Sequence, residues 1–450
     1  MTLIKSLLLG SSATLIAVAS AQAADLPTKK GAPAAEYVKI CKIGGVAGFI
    51  IPGSDTCLKI SGDVRFMADF GNNDDQSHQN RLPAAGPTAS TPGILRNSFG
   101  ISTRATLGLD TESNTSAGLL AAHIGINWGQ GSGLELAGDI PGSQGAGSYI
   151  NYAYLQWAGI TAGIKPSFFD YLGGGETWNN ILSPDHTGTG IPLIAYTASF
   201  GGGFSATIAA EQNAGSGGIV YANAGARTTA LGIQAPDIVG SLDVNQGWGT
   251  AHLAAVAHNV HVEGWSGGGF GFAANVDDWG YAVNGGLGFN LPSIGAGDVI
   301  KVQGTYTHEA INYSGLNSAG WGTGLNLNGN GLIYQIADIY EGNAGAWSVP
   351  TTWGAAAVAE FHLSPQFEIA PEISYAQISW SNNGFSTRSL EGSASSWFGG
   401  AAFNYTPVTN LTFNLDIVYQ SSHSDGSLGG NTPAANDSGW NARVAVERDF

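Results

Sequence analysis

The chain has 450 residues and a formal net charge of −17, with 11% charged residues, 10% aromatic residues and 68 glycines. This acidic balance leaves no basic surface for phosphates, so no nucleic-acid partner is expected. The aromatic content is too high for a disordered acidic chain. A charged fraction far below the usual ~25% is typical of a protein whose outer surface faces lipid and whose interior faces water.

Residues 1–23 have the pattern of a secretory signal peptide. Lys5 supplies the positive start, residues 7–19 form an apolar core, and residues 21–23 (Ala-Gln-Ala) form a small-residue cleavage site. The apolar run is too short for a membrane-spanning helix, which needs about 20 residues. We therefore expect an exported chain that begins at Ala24. An uncleaved membrane anchor is the alternative.

Residues 24–58 are predicted to form a periplasmic lead that precedes the first long strand. This lead contains Cys41 and Cys57, the two cysteines of the chain. An even pair in an exported protein favours a disulfide, which would contribute on the order of 3 kcal/mol in the chain-entropy model. Two free thiols or a metal site are the alternatives, although no histidine lies nearby to complete a zinc site.

From residue 59 onwards, apolar and polar side chains alternate in one segment after another, as they do in strands with one apolar face. In the first segment Ile60 lies on the apolar face, and Asp63 and Arg65 lie on the other. Residues 227–234 or 332–340 could add a hairpin and give eighteen strands. The sixteen predicted strands are 59–70, 96–110, 117–128, 149–157, 160–165, 191–200, 204–212, 237–246, 251–260, 279–290, 299–310, 351–363, 367–380, 397–405, 411–420 and 439–450.

The connections between these strands alternate between short and long, so the short turns lie at one end and the long loops at the other. Bacterial outer-membrane barrels have this asymmetry, with short periplasmic turns and long outer loops. Unpaired backbone groups in lipid cost several kcal/mol each, which requires a closed sheet. The sequence therefore predicts an all-β fold, a transmembrane antiparallel β-barrel of about sixteen strands over residues 59–450. Because such a barrel encloses water, we expect no dry core inside it.

No group of residues indicates bond-breaking chemistry. The nine histidines lie in no metal-ligand motif, and no G-x-S-x-G segment presents a nucleophile. No helix follows the many glycine pairs to bind a phosphate group. We therefore expect no enzyme, no cofactor and no metal site.

An ordered series of segments resembles the alphaproteobacterial outer-membrane porins, which are general diffusion channels. The segments are EYVKIC (residues 36–41), PGSDTCLKISGDVRF (52–66), TAGIKPSFFDY (161–171), LIAYTASFGGGFSATI (193–208), APDIVGSLDVNQGWGTAHL (235–253), WGYAVNGGLGFNLP (279–292) and the terminal VERDF. The resemblance implies a sixteen-stranded barrel, a homotrimer, and a third outer loop, residues 166–190, that folds into the pore.

The chain departs from this family at Tyr152 and Ile164, where family members commonly carry arginines that face the pore. Lys165 lies beside Ile164, and strand alternation is then expected to turn Lys165 away from that position. Part of the family's positive pore wall is therefore expected to be missing.

The candidate functional residues are those expected to line the pore. They are Asp63, Arg65, Arg96, Arg104, Tyr152 and Tyr154 on the wall, and Glu176, Asp185 and His186 on the third loop. A transverse field between wall cations and loop carboxylates orients dipolar solutes and ranks ions by charge. Because wall cations are few and the chain is acidic, we expect a mild preference for cations.

The predicted function is passive diffusion of small hydrophilic solutes and ions through the outer membrane of a Gram-negative bacterium, with lipid and lipopolysaccharide around the barrel. A substrate-specific channel for a sugar or an amino acid is the alternative, and it would need a ladder of lumen aromatics or arginines. Tyr152 and Tyr154 are candidates for such a ladder. An autotransporter is disfavoured because no repetitive passenger precedes the barrel, and conductance distinguishes a channel from an adhesive surface protein.

Overall fold

The alternating segments form sixteen strands, here numbered β1–β16. The computed structural model describes residues 39–71, 81–82, 94–95, 99–132, 146–172, 190–212, 219–222, 226–229, 234–262, 276–314, 338–341, 347–380, 392–424 and 435–450. The strands are β1 Cys57–Gly71, β2 Phe99–Thr115, β3 Gly118–Ser132, β4 Ala146–Trp157, β5 Ile160–Lys165, β6 Ile191–Gly201, β7 Phe204–Glu211, β8 Asp237–Gln246, β9 Gly249–Val262, β10 Val276–Asn290, β11 Val299–His308, β12 Thr351–Ser364, β13 Phe367–Trp380, β14 Gly392–Val408, β15 Leu411–Ser424 and β16 Ala435–Asp449.

Each strand pairs antiparallel with its neighbours in sequence, and β16 pairs with β1 to close the barrel. The closing ladder ends at the last residue, because Phe450 N donates to Gly62 O at 2.9 Å and Gly62 N donates to Phe450 O at 3.1 Å. Closure gives every barrel strand two hydrogen-bonded neighbours, which lipid requires. The predicted sixteen-stranded barrel is confirmed.

The connections alternate as the sequence predicts. Seven short connections join β2–β3, β4–β5, β6–β7, β8–β9, β10–β11, β12–β13 and β14–β15 at one end of the barrel, and the long connections lie at the other end. The turn between β4 and β5 consists of Ala158 and Gly159, with φ values of 52° and 86°. Two-residue hairpin turns with positive φ at both positions match the right-handed twist of the flanking strands.

The faces of the barrel are inverted relative to those of a water-soluble protein. Large apolar side chains point outwards and are exposed, for example Ile194, Ile208 and Ile373, whereas Asp416 and Glu211 point inwards and are buried. An outward apolar band with polar groups inside is typical of a barrel in lipid. Among the described residues, no helix is long and apolar enough to cross a membrane.

A hairpin that the sequence analysis did not predict precedes the barrel. Its strands, Ile40–Ile43 and Val46–Ile50, pair with each other, and the second pairs with the start of β1. Cys41 forms a disulfide with Cys57, with a Cα–Cα distance of 5.8 Å, so the predicted disulfide is confirmed. The hairpin continues the sheet below the point where β16 ends.

Three further groups of short elements lie between the barrel strands. Arg81–Leu82 pairs with Ile94–Leu95, and a 3₁₀ helix spans Ile311–Tyr313. A separate four-stranded sheet contains Ile219–Ala222, Ala226–Thr229, Ile339–Glu341 and Trp347–Ser348. The described parts of the segments proposed as an extra barrel hairpin therefore pair outside the barrel, so the eighteen-stranded alternative is wrong. Residues 230–233 and 332–337 lie outside the described residues.

Candidate functional site

The interior of the barrel has two unlike regions. We call the inward-facing residues of β16 and β1–β5 the open wall, and those of β6–β12 the covered wall. Residues 166–172, the start of the third outer loop, leave β5 and run along the covered wall. Phe169 in this segment is 0% exposed and Leu172 is 8% exposed. Residues 173–189 of this loop lie outside the described residues.

An apolar cluster packs the loop segment against the covered wall. Phe169 and Tyr313 meet edge to face, with ring centroids 4.9 Å apart. The cluster around them consists of Leu193, Ala195, Ala209, Val239, Ala254, Val256, Ala282 and Ala310. The row of alanines leaves space for the aromatic rings to lie against the strands. The expectation of no dry core is therefore wrong along the covered wall, because small wall residues admit an inward apolar loop.

Polar side chains of the covered wall pair with the backbone of the same segment. The carbonyl oxygen of Phe169 accepts hydrogen bonds from Asn284 Nδ2 at 2.6 Å and His252 Nε2 at 3.1 Å. The carboxylate of Glu211 accepts one from Phe168 N at 2.9 Å, and Leu172 N donates to Gln303 Oε1 at 3.0 Å. A loop buried inside a barrel needs such partners because its backbone groups have lost water.

Glycines of β10 allow the closest approach of the loop. The ring of Tyr171 lies against Gly286, and its hydroxyl is 2.7 Å from Thr250 Oγ1 on the neighbouring strand. A Cβ atom at Gly286 would overlap the Tyr171 ring, whereas a Cβ atom at Gly285 would have no atom within 4 Å. Gly286 is thus needed for packing, and Gly285 is not.

A buried polar cluster at the outer end holds the loop that follows β11. His258 Nδ1 lies 3.0 Å from both carboxylate oxygens of Asp237, and its Nε2 lies 3.6 Å from Asp338 Oδ2. The Tyr313 hydroxyl donates to Asp237 Oδ2 at 2.7 Å, and Ile311 N donates to Asp338 Oδ1 at 2.7 Å. Sequence reasoning missed this cluster. Counting residues outwards along both strands from the β8–β9 turn would have placed Asp237 opposite His258.

Two groups of this loop have shifted pKa values. Burial, together with the carboxylates of Asp278 and Asp338, raises the pKa of Glu309 to about 8, and nearby His258 opposes the shift. Burial, together with the charge of Asp237, raises the pKa of Tyr313 well above its ordinary value. The Glu309 backbone also has a φ of 54°, unusual for a residue with a side chain. The loop is therefore held most firmly when Glu309 is protonated.

The open wall carries the predicted wall charges on its inner face. Arg443 on β16 donates to both oxygens of Asp69 on β1, at 2.7 and 2.9 Å, and Arg65 forms an ion pair with Glu447. Arg104 lies opposite Arg65 in the ladder. Its Nε is buried and has no hydrogen-bond partner in the structure as described. Ion pairs thus span the seam where the barrel closes, and Arg104 stands beside them.

Asp63 is the other predicted wall charge on β1. It faces Thr106 of β2 and Asp449 of β16 in the ladders. Its Oδ2 atom is buried and lacks a hydrogen-bond partner among the residues described. The predicted wall residues Asp63, Arg65 and Arg104 therefore lie close together on two neighbouring strands.

Tyr152 and Tyr154 lie together on the inner face of β4. The Tyr152 ring packs against Gly125 of β3 and its hydroxyl approaches Gly108 of β2. Tyr154 stacks on His123, with ring centroids 4.8 Å apart, and the centroids of the two tyrosines are 6.2 Å apart. A polar aromatic surface therefore occupies the middle of the open wall.

Charged groups border this surface. His123 Nδ1 lies 2.7 Å from Asp110 Oδ1, and Lys165 Nζ lies 5.9 Å from the Tyr154 ring and 4.7 Å from the Phe168 ring. Lys165 therefore faces inwards, and the expected outward orientation of this side chain is wrong. The β4–β5 ladder explains this orientation. Gly163 pairs with Tyr154, which faces inwards, and Lys165, two residues after Gly163, therefore points to the same side.

The remaining predicted site residues, Arg96, Glu176, Asp185 and His186, lie outside the described residues. The proposed opposition between wall cations and loop carboxylates therefore stays a prediction. Within the described ranges, no group of three or more His, Cys, Asp or Glu residues has the arrangement of a metal site.

Comparison with known proteins gives consistent matches along the chain. The family model described as Porin subfamily matches residues 25–444. Porin Omp2b of Brucella suis biovar 1 (strain 1330) is 31% identical over 397 residues, which cover 84% of this chain and 94% of that protein. Porin Omp2b of Brucella neotomae is 30% identical over 400 residues, with the same 84% and 94% coverage.

One solved structure shares the fold at low identity. The outer membrane channel DcaP of Acinetobacter baumannii superposes with a TM-score of 0.57 and 15% sequence identity. The match covers 90% of this chain and 100% of that chain. At this identity the likeness supports the barrel architecture alone.

The contact between Tyr171 and β10 generates a testable prediction. Gly286→Ala places a methyl group in the Tyr171 ring, and overpacking of this kind costs about 1–3 kcal/mol. Chemical unfolding in lipid vesicles should therefore show a lower free energy of unfolding for Gly286→Ala. The control Gly285→Ala should match the unsubstituted protein, and equal losses in both variants would contradict the contact.

The raised pKa of Glu309 generates a prediction about pH. The pKa in the folded protein, about 8, exceeds the ordinary value near ~4.3, so the protonated form stabilises the loop. This stabilisation is complete below pH ~4 and is lost as the pH rises through about 8. Amide hydrogen exchange of residues 310–314, corrected for its intrinsic pH dependence, should lose protection progressively from pH ~4 up to the pKa of about 8 and change little above it. In Glu309→Gln the loss should disappear, and an unchanged loss would refute the assignment.

Proposed function

The chain belongs to the porin family, whose members are outer-membrane proteins of Gram-negative bacteria, and on this premise we propose that it forms a water-filled channel for passive diffusion of small hydrophilic solutes and ions. The observation that carries the proposal is the open wall, where Asp63, Arg65, Arg104 and Arg443 lie on the inner face of the barrel. The described part of the third loop, residues 166–172, packs against the covered wall instead. Barrels of sixteen or more strands are wide enough to leave an aqueous channel.

We propose no enzymatic role. Several charged groups of the open wall pair with one another, as Arg443 does with Asp69 and His123 does with Asp110. Catalysis by nucleophilic attack needs a nucleophile held next to a base. Ion pairs along a wall instead create a fixed field that acts on passing solutes and ions.

We propose a mild preference for cations. Of the three arginines that the structure describes on the open wall, Arg65 and Arg443 are paired with carboxylates. The uncompensated positive charge of the described part of this wall therefore comes from Arg104 and Lys165. The chain as a whole carries a net charge of −17. A negative field concentrates cations at the pore and repels anions.

Planar-bilayer recording tests the channel and its selectivity together. The purified, folded protein should give stepwise conductance, and its reversal potential in a KCl gradient should favour potassium. Arg104→Gln removes a wall cation and should shift the reversal potential further towards potassium, whereas Arg448→Gln at the barrel rim should leave it unchanged. Folded protein without conductance would end the channel proposal, and a potential that favours chloride would end the cation preference.

We propose a homotrimer, surrounded elsewhere by lipid and lipopolysaccharide. Strand β5 has six residues and β7 has eight, fewer than the 9–11 that a strand needs to cross the hydrocarbon layer. A concave apolar outer surface lies in this sector, lined by Ile160, Ile194, Tyr196, Ile208 and Ile238. A short wall is better covered by protein than by lipid, which favours this sector as the contact between subunits.

The trimer contact can be tested with bulky substitutions. Ile208→Trp lies in the proposed contact and should dissociate the trimer at a lower temperature in semi-native electrophoresis. Ile373→Trp on β13 is a matched control, because Ile373 is similarly exposed (57% against 61%) on another sector. Equal dissociation temperatures for both variants would place the contact elsewhere, and a monomeric unsubstituted protein would refute the trimer.

A further inference from the structure

A line of three tyrosines descends the open wall along β4. Tyr149, Tyr152 and Tyr154 all lie on the inner face, because an irregularity of the β3–β4 ladder between Gly125 and Ile126 changes the alternation of β4. At about 3.3 Å per residue, the line covers on the order of 15 Å along the wall. A tyrosine line of this length can contact more than one ring of a solute at the same time.

Glycines on neighbouring strands set the orientation of the central ring. In the ladder, Tyr152 lies opposite Gly125, Gly125 opposite Gly108, and Gly108 opposite Ser61. The Tyr152 ring occupies the space that a Cβ atom of Gly125 would take, and its hydroxyl lies 3.2 Å from the Cβ position of Gly108. The ring is thus laid against backbone on one side, which leaves its other side for the lumen.

Hydrogen-bonding groups stand above and below this ring. On one side Asn127 Nδ2 donates to the Tyr149 hydroxyl at 2.8 Å. On the other side are the Asp110–His123 pair and the Tyr154 ring that stacks on His123. The side chains of His123 and Asp110 remain 17% and 20% exposed. Solute hydroxyls would therefore meet both donors and acceptors beside an aromatic surface.

We propose that the Tyr149–Tyr152–Tyr154 line is a weak binding track for neutral carbohydrates. The apolar C–H face of a sugar ring packs on an aromatic face, and its hydroxyls pair with polar groups at the ring edge. A channel solute must bind well enough to enter and weakly enough to leave, which a line of similar contacts provides. The inference deepens the proposed diffusion function and rests on it.

The charges at the track favour a neutral solute over an amino acid. An amino acid needs a free carboxylate for its ammonium group and a free cation for its carboxylate. Asp110, the carboxylate at the track, is already paired with His123, so the ammonium group of an amino acid would find no free partner there. Arg65 and Arg104 lie on β1 and β2, four ladder pairs away from the Ser61–Gly108 pair that is level with Tyr152. The tyrosine line therefore offers stacking and hydrogen bonds without a free charge pair.

Current-noise analysis in planar bilayers tests the track. Maltotriose added to the conducting protein should produce reversible current interruptions that saturate with concentration, with half-saturation in the millimolar range. Polyethylene glycol of equal hydrodynamic size should lower conductance without such saturation. Tyr152→Ala combined with Tyr154→Ala should raise the half-saturation concentration at least fivefold, whereas Tyr152→Phe combined with Tyr154→Phe should retain binding. Tyr405→Ala on the outer surface is the matched control and should behave as the unsubstituted protein.

The outcomes separate the two proposals. A conducting protein that maltotriose does not interrupt would overturn the track and leave the channel intact, whereas a folded protein without conductance would overturn the channel itself. Interruptions by a neutral aromatic solute such as benzyl alcohol, but not by maltotriose, would overturn the carbohydrate assignment. An unchanged half-saturation in the double alanine variant, with heat-modifiable electrophoretic migration confirming the fold, would overturn the tyrosine line as the track.

Discussion

The structure depends on one constraint: in a hydrocarbon layer every backbone N–H and C=O must find its partner within the protein. Closure of β16 onto β1 meets this constraint, and the ladder continues to the terminal residue through Phe450 and Gly62. The same seam carries the Arg443–Asp69 and Arg65–Glu447 ion pairs on its inner face. Strands β16 and β1 thus carry both the hydrogen bonds that close the barrel and the charges that a permeating ion would meet.

The constraint applies again inside the barrel, where residues 166–172 are buried. Their backbone groups are paired by side chains of the covered wall, such as Glu211 and Asn284, and their apolar side chains fill the space above a row of alanines. This region of the interior resembles the core of a soluble protein, with a dry cluster and side-chain partners for the buried loop backbone. The arginines and the tyrosine line lie on the open wall, which is the path that we propose for water and solutes.

Features that depend on the alternation of side chains along a strand could be predicted from the sequence. Features that depend on the register between distant strands could not. The sixteen strands and sorted connections follow from a period of two, and the Cys41–Cys57 disulfide follows from an even pair in an exported chain. The predicted orientation of Lys165 was wrong. Strand β5 is short, and its ladder with β4 decides which face of β5 is the inner one. The Asp237–His258–Asp338 cluster joins a hairpin to a loop residue, Asp338, that lies 80 residues after that histidine, and periodicity carries no information about such contacts.

The division of the interior into an open and a covered wall is the central claim, and cysteine accessibility tests it most directly. Ser61→Cys lies on the open wall and Ala254→Cys in the apolar cluster of the covered wall, where Ala254 is 1% exposed. The native cysteines form a disulfide and leave no competing thiol. A charged methanethiosulfonate reagent should react rapidly with Ser61→Cys and change the channel current, and should leave Ala254→Cys unmodified in the folded protein. Rapid modification of Ala254→Cys, or an unreactive Ser61→Cys, would contradict the account.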